Sequence, residues 1–119
     1  MKLTIKRNQA DIKGLFGGHK GVNFSLYGRV EVTDAEKTLI NKYKVGDYIL
    51  ASYERPVKGS EQSISFHITT NDIINGKSVE IGNINTLLEL EDAMKSGCQN
   101  LKSLLSVMST FGGEQVFEI

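Results

Sequence analysis

The 119-residue chain reads as an α+β protein: an antiparallel β-sheet with one short inserted helix, a long C-terminal amphipathic helix packed on the sheet, and a final short strand. Three observations carry this. Apolar residues alternate with period two at several places before residue 82. A capping box with helical spacing interrupts them near residue 34. A heptad-like apolar stripe fills 86–111. The length fits a single domain, 1–119: mainly β over 1–82 with the helix at about 34–44, the long helix over 86–111, and the terminal strand over 114–119.

Leu3 and Ile5 alternate with Lys2, Thr4 and Lys6, which predicts a short half-buried strand. Over 22–32, Val22, Phe24, Leu26, Val30 and Val32 alternate with Asn23, Ser25, Tyr27, Arg29 and Glu31, so one face is apolar and the other wet. Gly28 falls in the apolar row and marks a bulge or a close backbone approach. Thr33-Asp34-Ala35-Glu36 has capping-box spacing, and Ala35, Leu39, Ile40 and Tyr43 follow helically. Lys42 and Lys44 favour the C-terminal end of that helix, and Gly46 fits just beyond it.

Tyr48 to Tyr53 predicts a strand, with its register through 48–55 left open and its pairing limited by Pro56. Ile64, Phe66 and Ile68 alternate with Ser63, Ser65, His67 and Thr69. Asn75-Gly76 carries the sequence of a type I′ hairpin turn returning through Val79 and Ile81. Thr86-Leu87-Leu88-Glu89 is a second capping box, opening the long helix that Gly112-Gly113 ends. Glu114 to Ile119 reads as the last strand.

In the long helix, Leu87, Leu90, Met94, Leu101, Leu104, Met108 and Phe111 fall at three- and four-residue steps that only Gly97 breaks. Twenty-six helical residues span roughly 39 Å. A compact domain of this length has a radius of gyration of about 13–14 Å and a diameter of about 35 Å. A stripe that long serves the sheet, a second subunit, or both. Met94, Gly97, Leu101, Leu105 and Met108 are the expected subunit-interface residues, with Gly97, Ser96 and Ala93 allowing two backbones to approach, and self-association is expected.

Fourteen basic and fourteen acidic residues cancel. That weighs against a dedicated nucleic-acid binder, whose affinity comes from clustered cations releasing counterions. The zero conceals a split: residues 1–60 hold eleven Lys and Arg against six Asp and Glu, and residues 61–119 hold three against eight. The excess of the first half lies in residues 1–30. Such a division tolerates a small anion at the basic end and lets opposite ends of two copies attract. One cysteine, Cys98, excludes an intrachain disulfide and a multi-thiolate zinc site. Met1 to Arg7 lacks the apolar region of a signal peptide, and no apolar run approaches membrane-spanning length, so a cytoplasmic location without membrane contact is expected.

Two constellations could bind an anion. Lys13 to Gly21 holds four closely spaced glycines between cations, and the amides of Gly17 and Gly18 with His19 and Lys20 would form an anion-binding nest. It is neither a Walker loop nor a dinucleotide fingerprint, because the GK[ST] ending and the following helix are missing. Its plain alternative is a connection between strands. Tyr27, Arg29 and Arg55 on polar strand faces suit stacking on a base and pairing with phosphate, and their plain alternative is a solvated sheet face.

Catalytic chemistry finds little here. Cys98 stands among apolar neighbours as a buried, unreactive thiol, and His19 and His67 alone make no metal site. No cofactor is expected. The sequence therefore points to a non-catalytic oligomeric binding protein for an anionic, nucleotide-like small molecule, a sensor or a sequestering sponge. The alternative is a protein–protein adaptor using the long helix and an exposed sheet edge.

Overall fold

The alternating segments resolve into two separate antiparallel sheets joined by one helix. The computed structural model describes residues 1–13, 19–56 and 59–119, with side chains for 1–9, 24–55 and 59–119. Its elements are β1 (Lys2–Lys13), β2 (His19–Glu31), α1 (Asp34–Lys42), β3 (Ile49–Pro56), β4 (Ser63–Thr69), α2 (Thr70–Asn75), β5 (Lys77–Ile81) and α3 (Ile84–Met108). The first sheet has the order β1-β2-β5 and the second pairs β3 with β4. The α+β class holds, with α3 packed across both sheets.

The local rules place most of these elements. Thr33 caps α1 as expected: its hydroxyl accepts from the Glu36 amide at 3.1 Å and the Glu36 carboxylate accepts from the Thr33 amide at 3.0 Å. On β2, Leu26 and Val30 are buried while Arg29 and Glu31 are exposed, the predicted alternation. Leu50 and Ala51 are both buried although they are consecutive, because the β3–β4 register shifts between Ile49 and Ala51. That irregularity defeats a period-two reading of 48–55.

Four expectations are corrected. Asn75-Gly76 is not a hairpin turn. Thr69 and Asp72 form a capping box that starts α2, and Gly76, at φ +89°, ends it; a left-handed glycine serves a helix C-terminus as well as a hairpin. α3 starts earlier than the Thr86–Glu89 box predicts, since the Asn83 side chain accepts from the Thr86 amide at 2.8 Å. It also stops at Met108, three residues before the predicted end. Residues 114–119 form no strand: Val116 and Phe117 are each 80% exposed, with no neighbouring strand among the described residues to pair them.

The shape also departs from expectation. The radius of gyration is 18.7 Å and the principal extents are 70 × 30 × 25 Å, well beyond the compact value of about 13–14 Å. The β1–β2 ribbon contributes much of this. It is paired from Lys2↔Glu31 to Lys13↔His19, but β5 covers β2 only from Phe24 to Gly28. Beyond Phe24, among the described residues, β1 and β2 pair only with each other.

The core sits where α3 crosses both sheets. Leu26 from β2, Ile68 from β4, Ile73 from α2 and Met94 and Leu101 from α3 are fully buried. Two glycines set the approach. A Cβ at Gly28 would stand 2.9 Å from the Met94 sulfur, so the glycine marks a close approach and not a bulge. A Cβ at Gly97 would overlap the Leu50 carbonyl, so α3 lies directly on the β3 backbone there.

Candidate functional site

The long helix spends its stripe inside the chain. Met94, Leu101 and Leu105 are 0–3% exposed, Gly97 is pressed onto Leu50, and Met108 packs against the same core. The five residues expected at a subunit interface thus lie in or against the core of the single chain. The close approach that Gly97 permits is real, but the facing backbone is that of β3.

The sequence-expected binding residues fall in different places. Gly17 and Gly18 lie outside the described residues, and so do the side chains of His19 and Lys20 on β2. Tyr27 and Arg29 share the outer face of the first sheet, opposite Lys6 and Thr4 of β1. The Lys6 ammonium stands 5.8 Å from the Tyr27 ring centre, a cation–π contact. Arg55 belongs to the other sheet, where its guanidinium lies 5.7 Å from the Phe66 ring, itself stacked at 5.1 Å on Tyr53. The expected aromatic-basic cluster is thus divided between two sheets.

A concavity opens where neither constellation pointed. Leu3, Ile5 and Arg7 of β1 lie on the side of that strand that faces α3. With Met1 they meet Glu91, Lys95, Cys98, Gln99 and Lys102 of α3 around a groove of about 720 Å³, within the range of small-molecule sites. Its floor is apolar and its rim carries Arg7, Lys95 and Lys102 against one carboxylate. β1 forms the open edge of its sheet, so the groove is bordered by a strand with one unpaired side.

Glu91 organises the rim. It is nearly buried, and its two oxygens accept from Arg7 Nε and Nη2, each at 2.7 Å, while Lys95 stands 3.4 Å away. This bidentate pair fixes the guanidinium at the groove mouth. Arg7 holds the Glu91 carboxyl below its ordinary value, against the opposing effect of burial. Arg7 donates to Glu91 through Nε and Nη2 only, which leaves the rest of its planar fork available, and Lys102 makes no ion pair among the described residues. The Cys98 thiol in the floor is pushed up by burial to about 11, so it stays protonated at neutral pH.

The signal for this groove was present in the sequence. Lys95 and Lys102 are seven residues apart and so lie on one helix face, with Glu91 one turn before. What the sequence lacked was the pairing of that face with Leu3, Ile5 and Arg7 of β1, a contact 84 positions apart at Arg7 and Glu91. Elsewhere, Ser52 Oγ and His67 Nδ1 share a hydrogen bond of 2.9 Å on the exposed face of the second sheet. Among the described residues no three His, Cys, Asp or Glu side chains converge as metal ligands, and no helix is long and apolar enough to cross a membrane. No protein-family model, curated protein or solved structure matches the chain.

Proposed function

We propose that the protein is a non-catalytic binding protein for a small anionic molecule with an apolar or aromatic body, nucleotide-like in character, held between β1 and α3. The observation that carries this reading is the groove: an apolar floor of Met1, Leu3, Ile5 and Cys98 beneath a rim of Arg7, Lys95 and Lys102. Preorganised cations beside an apolar wall suit phosphate or carboxylate at one end of a ligand and a flat or aliphatic part at the other. The only thiol or hydroxyl among the lining residues is that of Cys98, and its raised pKa favours holding a ligand over transforming it. A sensor or a sequestering sponge would use such a site.

The test is a thermal-stability screen of the full chain against mononucleotides, dinucleotides and cyclic nucleotides. A ligand present at 100 times its Kd contributes about 2.7 kcal/mol, a shift of several degrees. The expected result is a raised midpoint with at least one anion, lost in Lys102→Glu. No shift with any anion would overturn the reading. So would a shift that survives Lys102→Glu and disappears in Arg29→Ala, which would move the site to the outer sheet face.

A further inference from the structure

We infer that residues 114–119 of one copy lie along the β1 edge and groove of a second copy, so that two chains exchange these segments reciprocally. The segment Glu114-Gln115-Val116-Phe117-Glu118-Ile119 puts two carboxylates around apolar side chains. Among the described residues of the single chain it has no partner: Val116 and Phe117 are each 80% exposed, and the segment has no secondary structure. The groove presents the complement, with an apolar floor, three cations on the rim, and the unpaired backbone of an edge strand beside it.

Charge also selects the pairing. Lys2 and Lys6 line β1, so two β1 edges repel each other, which is how natural sheets block edge-to-edge association. An acidic strand meets no such barrier, and strand addition gives it main-chain hydrogen bonds as well as side-chain pockets. Length agrees. Six extended residues span about 20 Å, and the groove wall from Glu91 to Lys102 covers about 16 Å of helix. The start of the segment is anchored: Phe111 packs edge-on against Tyr43 at 5.5 Å, and the Gly113 amide donates to the Thr110 carbonyl at 3.1 Å. Each copy carries one segment and one groove, so reciprocal exchange closes a two-fold dimer.

The segment and an anion would share the same floor and cations, so the exchange is tested with no anionic ligand present. Sedimentation equilibrium of the full chain at low salt is expected to show dimer. Two variants then reverse one side each: Lys102→Glu in the groove, and Glu114→Lys with Glu118→Lys in the segment. All three positions are exposed, so circular dichroism should match wild type. Each variant alone is expected to dissociate at least tenfold more readily than wild type. Mixed one to one they should re-form the dimer, because the lysine segment meets the glutamate groove and the native segment meets the native groove. Phe117→Ser should weaken the wild-type dimer by a similar factor. A wild type that stays monomeric up to millimolar concentration overturns the inference, as does a dimer insensitive to both reversals or a mixture that fails to recover.

Discussion

At the scale of single residues, Gly97 decides how the fold closes. Its missing side chain lets α3 rest on the Leu50 backbone, and a β-carbon there has backbone, not a flexible side chain, to displace. Gly97→Ala should therefore destabilise the chain even though alanine favours helix. The expected loss is about 1–3 kcal/mol, the usual cost of overpacking, read from the denaturant midpoint. An unchanged or raised midpoint would mean that helix and strand separate freely. The apolar stripe made α3 legible, but it could not say which backbone the helix faces. The same limit explains why Met94, Leu101 and Leu105 read equally well as core and as interface: periodicity reports that a face is buried and not what buries it.

At the scale of elements, ends were less legible than interiors. The Thr33–Glu36 box marked the true start of α1, whereas the Thr86–Glu89 box lies inside α3 and Asn83 does the capping. Asn83→Ala should cost about 0.5–2 kcal/mol, as loss of a capping oxygen usually does, while Thr86→Ala should cost less. A chemical-denaturation comparison of the two variants checks this, and the reverse order would restore Thr86 as the cap. The period-two strands were legible because each buries one face. The Asn75-Gly76 signal misled because a positive-φ glycine fits both a hairpin and a helix end, and only the capping pair six residues earlier distinguishes them. The partition into two sheets was not legible, since pairing partners such as β2 and β5 lie about 50 residues apart. The basic groove shares that difficulty, because its halves come from the two ends of the chain.

At the scale of the whole molecule, the Arg7–Glu91 pair ties the first strand to the last helix and gives stability a pH dependence. The folded state holds Glu91 below its ordinary value, so the contribution is fully present above the unfolded pKa of about 4.3 and is lost as pH falls through the folded value. The thermal midpoint should fall steadily from about pH 5 downward. Glu91→Gln should lie below wild type at pH 7 and lose less on acidification. Parallel midpoint curves for the two proteins would show that the pair does not titrate with folding. The helix that completes this tie also packs against β1, β2, β3, β5 and α1, and it follows all of them in the chain. During synthesis, then, both sheets emerge with their apolar faces bare. At about 5–20 residues per second, the 25 residues of α3 take seconds to appear. For that interval the nascent chain has strands but no roof, and the order of translation makes its last helix the step on which burial of Leu26 and Ile68 waits.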